Sequence, residues 1–143
     1  MRLSQVLDSK GANVVTARPD TSLTEAVRLL VEANIGAVVV VDDSGPVGIF
    51  SERDLLRYVA AGDPDFDRAQ VAEFMTRKLI TAAPTQGVSD AMELMKEHRI
   101  RHLPIIADGE MVGIVSVRDV IDAIRRSTED ENEHLKTYIF SVR

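Results

Sequence analysis

The sequence predicts an α+β fold of tandem duplicated β-α-β-β-α units packed as one compact module. Three observations carry that expectation. The phrase Gly48-Ile49-Phe50-Ser51-Glu52-Arg53-Asp54 returns 65 residues later as Gly113-Ile114-Val115-Ser116-Val117-Arg118-Asp119. Identities continue at the same offset without a gap: Thr16-Ala17 with Thr81-Ala82, Pro19 with Pro84, Ala26 with Ala91, Leu29 with Leu94, Glu32 with Glu97, Ile35 with Ile100 and Asp43 with Asp108. Within each copy, β-branched runs alternate with apolar residues spaced three and four apart, the strand and helix periods. Each half is near the smallest length that buries a core alone, so the two are expected to share one.

In chain order, Ser4 to Lys10 reads as a short helical lead-in, with Val6 and Leu7 as its apolar contacts. Val14-Val15-Thr16 reads as a strand ended by Pro19. Ser22 and Glu25 form a capping box ahead of Leu23, Ala26, Val27, Leu30 and Ala33, one apolar helix face. Asn34 and Gly36 punctuate the helix end. Ala37 to Val41 shows no alternation, which predicts a strand covered on both faces. Asp43-Ser44-Gly45 turns the chain into a returning strand, Val47 to Phe50, and Ser51 opens a helix that stops at Gly62. A connector follows, with a short helix near Gln70 to Met75 that echoes the lead-in, Val6 and Val71 sitting at the repeat offset. The second copy then gives a strand at Leu79 to Thr81, a helix at Val88 to Arg99, strands at Leu103 to Ile106 and Val112 to Val115, and a last helix from Ser116. The expected organisation is 1–62 for the first unit with its lead-in, 63–78 for the connector, 79–126 for the second unit and 127–143 for an acidic, helical tail. In that tail Leu135, Tyr138 and Ile139 follow Glu129 to Glu133 at helical spacing and need a docking place, on their own subunit or a partner's.

The 143 residues are 45% apolar but only 4% aromatic, which predicts a small-aliphatic interior with Met92, Met95 and Met111 as filler. A net charge of -6 argues against non-specific nucleic-acid binding. There is no cysteine, so disulfide and thiolate chemistry are excluded. The N-terminus lacks the apolar core of a signal peptide and no apolar run approaches a membrane span, so a cytoplasmic protein without membrane attachment is expected.

The chemistry concentrates where the repeated phrase enters its helix. A helix start presents unpaired N–H groups and a positive dipole end, so phosphate at Ser116 is favoured. Ser116 adds a hydroxyl and Arg118 a forked cation for phosphate oxygens. Asp119 offers two acceptor oxygens, and Gly113 leaves backbone room. Ser-x-x-Asp is also a capping pattern, so Ser51/Asp54 and Ser116/Asp119 could serve only their helices. His98 and His102 stand at metal-pair spacing, but Arg99 and Arg101 beside them oppose a cation, and no metal is expected.

The doubled unit with Gly-Ile-x-Ser-x-Arg-Asp at its last strand-to-helix junction resembles the CBS domain, named after cystathionine β-synthase; two in tandem are called a Bateman module. Ile100-Arg101-His102-Leu103-Pro104-Ile105 and Phe74-Met75-Thr76 are also similar to family segments, and the resemblance covers about residues 1–125. It implies a stand-alone, non-enzymatic regulatory pair that binds adenosine-containing ligands (AMP, ADP, ATP, S-adenosylmethionine or a dinucleotide) in clefts between the two units, with no cofactor required. It implies adenine against Ile80-Thr81 and Arg101-His102-Leu103-Pro104, with Val15, Thr16, Ala37, Val38, Ser51, Arg53 and Asp54 as the first copy's counterparts. The second copy's basic wall of Arg101 and His102 has no match in Gly36-Ala37, and Glu52 adds an acid, so the second site is expected to bind better. Two pairs commonly stack in this family, and Leu55, Leu56, Val59, Val120, Ile121 and Ile124 are more apolar residues than one helix stripe needs, so a homodimer is expected, with an unidentified regulated protein as a further partner. The competing readings are a ligand-free dimerisation or scaffold protein and a small hydrolase or nucleotidyl-transfer enzyme.

Overall fold

The computed structural model describes residues 1–11, 13–62 and 64–141, without the side chains of residues 130 and 134–141. Its elements run α1 (Leu3–Lys10), β1 (Thr16–Ala17), α2 (Leu23–Ala33), β2 (Ala37–Asp42), β3 (Gly45–Ser51), α3 (Glu52–Ala60), α4 (Val71–Phe74), α5 (Val88–His98), β4 (His102–Ala107), β5 (Glu110–Ser116) and α6 (Val117–Ser141). They form two compact units. The first-copy unit is Asn13–Ile80 with Gly109–Met111; the second-copy unit is Met1–Ala12, Thr81–Asp108 and Val112–Arg143.

In the first-copy unit the sheet order is β1-β2-β3. β1 lies parallel to β2, with Ala17 opposite Val40, and a parallel pair needs a crossover, which α2 supplies. Ser22 caps α2 by accepting the Glu25 N–H at 3.1 Å, and Asn34 ends it in the left-handed region at φ 52°. β2 runs antiparallel to β3 and sets Val38 opposite Phe50. Val38, Val39 and Val40 have no exposed surface, the both-faces burial that the unalternating run predicts. The core around them is aliphatic, as composition suggests, apart from two aromatic residues. Phe50 and Tyr58 are buried in it, and Tyr58 packs on Phe66 and Phe74 with ring centroids 5.4 and 4.4 Å apart.

The second-copy unit repeats this with one loss. β4 and β5 pair, but the strand expected at Leu79 to Thr81 shrinks to a single parallel bridge, Ala82 with Ile105. Ala82 donates its N–H to the Pro104 carbonyl and accepts from Ile106. The position matching Val39 is Pro104, which has no N–H to extend the ladder backwards. α6 also departs from expectation. It runs through the acidic stretch at residues 129–133 without interruption, so the tail is a continuation of the last helix. The side chains of Leu135, Tyr138 and Ile139 lie outside the described residues.

The two lead-in helices are exchanged. α4 precedes the second copy in sequence yet docks on the first: Val71 N–H bonds Thr21 O at 2.8 Å, and Ala72 N–H bonds Pro19 O at 3.0 Å. α1 precedes the first copy, and the sequence reading placed it there, yet Leu3 N–H bonds Gln86 O at 2.9 Å and Ser4 N–H bonds Pro84 O at 3.0 Å. These bonds match Leu3, not Val6, with Val71. The 65-residue offset relates the copies themselves; a segment docked on the other copy is not bound to that register.

Docking explains both motif glycines. A Cβ at Gly113 would stand 2.5 Å from Leu7 Cδ2, and one at Gly48 would stand 2.6 Å from Met75 Sδ and 2.9 Å from the Thr76 carbonyl oxygen. The room that the sequence reading gave to a ligand at Gly113 is filled on that side by Leu7. Alanine at either position is therefore an overpacking change, expected to cost about 1–3 kcal/mol. Gly48→Ala should cost more, because backbone as well as side chain must yield there. Urea denaturation of both variants checks this ranking.

Candidate functional site

Each copy delivers its Ser-x-x-Asp at the point where a core strand becomes a helix. Ser51 ends β3 and Ser116 ends β5. The first helical N–H is held in the same way in both: Glu52 N–H bonds Gly36 O at 3.0 Å, and Val117 N–H bonds Arg101 O at 2.9 Å. Each aspartate then reaches back to its serine. Ser51 N–H donates to Asp54 Oδ2 at 2.9 Å, and Ser116 N–H donates to Asp119 Oδ2 at 2.8 Å. In the second copy Ser116 Oγ accepts the Asp119 N–H at 3.1 Å, completing a reciprocal capping box. The capping role weighed from the sequence is thus present in both copies, and it uses part of each carboxylate.

What else holds the carboxylate separates the copies. Asp54 is 4% exposed. Its Oδ2 also accepts Ser51 Oγ–H at 3.1 Å, its Oδ1 accepts Thr76 Oγ1–H at 3.2 Å, and Arg57 stands 3.6 Å away. Asp119 is 22% exposed by side chain, and its Oδ2 takes the Lys10 ammonium at 2.6 Å as well as Ser116 N–H. Lys10 Nζ also donates to Ile114 O at 2.8 Å. Ile49 O, the matching carbonyl in the first copy, accepts the Thr76 N–H at 2.8 Å. One backbone carbonyl and one carboxylate are therefore satisfied by Thr76 in one copy and by the side chain of Lys10 in the other. Burial would raise the Asp119 pKa; the Lys10 hydrogen bond, the Ser116 N–H, the Lys10 charge and the Ser116 hydroxyl outweigh it and hold the carboxyl below its ordinary value.

The remaining expected site residues divide by burial. Leu103 and Pro104 are buried, as are Ala37 and Val38 in the first copy, so these positions offer backbone rather than side chain. Arg101, Arg118, Thr81, Arg53 and Thr16 are exposed; Ile80, His102, Val15, Ser51 and Ser116 are half-buried. Gly113 is buried against Leu7. The sequence reading missed Lys10 as a site residue and gave Thr76 only a family resemblance. Lys10 ends one docked helix and Thr76 lies just past the other, and Lys10 is 109 residues from its aspartate, so the exchange had to be seen before either could be placed. Among the described residues no group of three or more His, Cys, Asp or Glu could hold a metal ion, and no helix is long and apolar enough to cross a membrane.

A doubled α/β unit with an aspartate reaching back to a serine at each last strand-to-helix junction defines a tandem-repeat module. The family model of the CBS domain matches residues 5–61 and again 71–126, and the chain belongs to that family. The mitochondrial CBS domain-containing protein CBSX3 of Arabidopsis thaliana is 36% identical over 146 residues, covering 96% of this chain and 71% of that protein. A CBS domain protein from Pyrobaculum aerophilum, complexed with AMP, superposes with a TM-score of 0.74 at 31% identity, covering 83% of this chain and 89% of that one. The CBS domain pair of protein MJ0100, in complex with 5'-methylthioadenosine and S-adenosyl-L-methionine, gives 0.77 at 27% identity over 87% and 99% of the two chains.

The Lys10–Asp119 pair makes a stability prediction. A depressed folded-state pKa contributes stability above the unfolded value, about 3.9 for aspartate, and that contribution is lost as pH falls through the folded value. Lys10→Met should cost about 0.2–1 kcal/mol at neutral pH, the range of partly exposed pairs. Thermal unfolding of both forms from pH 7 down to 3 should show the gap closing below about pH 4.

Proposed function

We propose that this chain is a non-catalytic regulatory module that binds an adenosine-containing ligand and reports occupancy by a change of conformation or assembly. The observation that carries the reading is the Asp119 junction: a partly exposed carboxylate beside a helix start, in a family whose solved members include one holding AMP and one holding S-adenosyl-L-methionine with 5'-methylthioadenosine. The helix N-terminus with Ser116 suits a phosphate or another electron-rich group, and the carboxylate suits ribose hydroxyls. AMP, ADP and ATP lead the candidates, followed by S-adenosylmethionine and a dinucleotide. These groups suit binding and orienting a ligand.

The second-copy junction is proposed as the stronger site. Asp54 is closed in by Ser51, Thr76 and Arg57, whereas Asp119 keeps exposed surface with Arg101 and Arg118 nearby in sequence. Calorimetric titration with AMP should show one dominant site, weakened by roughly 1.5–3 kcal/mol in Asp119→Asn and unchanged in Asp54→Asn, since Asn still caps a helix. Dominance that Asp54→Asn abolishes would reverse the assignment. A thermal-shift panel ranks the candidates, a ligand at 100 times its dissociation constant stabilising by about 2.7 kcal/mol; silence across the panel would favour the scaffold reading.

A homodimer is proposed on a separate observation. Leu56 and Val59 on α3 are 69% and 48% exposed, and their repeat equivalents Ile121 and Ile124 on α6 are 47% and 40% exposed. Leu55 is half-buried and Val120 fully buried, so they belong to the interior rather than to this surface. Sedimentation should show a dimer at micromolar concentration, and Leu56→Glu with Ile121→Glu should return it to the 15.7 kDa monomer. With no cysteine to oxidise, the chain is compatible with a reducing compartment such as the cytoplasm. The regulated protein would be a partner of this assembly.

A further inference from the structure

Resting on the adenosyl reading above, we infer that Lys10 is a displaceable lock on Asp119, so that ligand binding at the second copy frees the C-terminal end of α1. A carboxylate oxygen has about two acceptor positions. Asp119 Oδ2 fills both, with Lys10 Nζ at 2.6 Å and Ser116 N–H at 2.8 Å. A ribose diol that spans both carboxylate oxygens has to take one of those positions. The Ser116 N–H is held in the main chain where β5 enters α6, whereas the lysine side chain can swing on its four-carbon stem. Lys10 is also one-third exposed, so water can receive the released ammonium.

What Lys10 holds gives the lock its consequence. It is the last residue of α1, followed by Gly11 at φ 92°, and its other bond, to Ile114 O, is the counterpart of a backbone bond in the first copy. There, Thr76 uses its own N–H on Ile49 O, and its hydroxyl on Asp54, so the closure is built into the main chain. In the second copy the closure is a single flexible side chain. α1 keeps a second tie, Arg126 Nη1 to Ser9 Oγ at 2.8 Å, and its buried Leu3, Val6 and Leu7. Release therefore loosens the end of the helix without undocking it. The first copy is a fixed cap and the second a switchable one.

Titration of the full chain with adenosine, which carries no phosphate to attract the freed ammonium, tests this. Lys10→Met should bind adenosine about fivefold more tightly than the wild type, the exchange of a partly exposed ion pair of about 1 kcal/mol. Lys10→Arg, which keeps the charge, should bind close to the wild type. Amide hydrogen exchange at residues 10 and 11 should accelerate when AMP is added to the wild type and stay unchanged in Asp119→Asn. Unchanged or weaker adenosine binding in Lys10→Met would overturn the lock. If wild type and Lys10→Met both fold but neither binds adenosine, AMP or S-adenosylmethionine, the adenosyl reading fails and the lock falls with it.

Discussion

The structure turns on one carboxylate at the third position of a helix. Asp119 closes the first turn of α6 through Ser116 and fastens the end of α1 through Lys10, with Oδ2 shared by both. The last strand of the copy, its last helix and the docked α1 therefore meet at a single half-buried group. A half-buried carboxylate is stable only where its charge is answered, and here burial is outweighed by a lysine and a helix start. Anything that competes for this oxygen reaches three elements at once.

Duplication supplies the frame and divergence sets the use. Both copies hold their last helix by the same backbone bond and the same serine–aspartate reach, and both need glycine where the exchanged segment packs on the last strand. They differ in how the exchanged segment ends. α4 stops at Phe74 and sends Thr76 along Ile49 as main chain, whereas α1 continues to Lys10 and sends a side chain to Ile114. Aspartate enclosed by main chain and hydroxyls behaves as structure. On the reading proposed above, aspartate met by a lysine at the surface is the one available to a ligand. The same asymmetry was expected from Arg101 and His102 in the sequence, and the enclosure of Asp54 supports it on independent grounds.

Much of this was legible in the chain itself, because the repeat states each element twice. The fold class follows from the 65-residue repeat, and the helices from Leu23 and Val88, the buried valine run and the junction aspartates follow from local patterns. What was not legible is long-range. The docking of α1 on the second copy depends on bonds from Leu3 and Ser4 to residues more than 75 positions away, and no local pattern encodes them. With that exchange hidden, Lys10 read as the end of a lead-in, and Gly113 read as ligand room instead of a seat for Leu7. The lost strand at residues 79–81 was readable in principle, since Pro104 stands where the first copy has Val39, a donor that proline lacks.

The central claim is that the Asp119 carboxylate, and not the Asp54 carboxylate, is the group that a ligand engages. Carboxyl-carbon NMR of the aspartates during titration with AMP observes both directly, with each resonance assigned by its Asn variant. The account predicts that the Asp119 signal moves in step with saturation while the Asp54 signal stays in place. Movement of the Asp54 signal alone, or saturation with both signals unmoved, would contradict it.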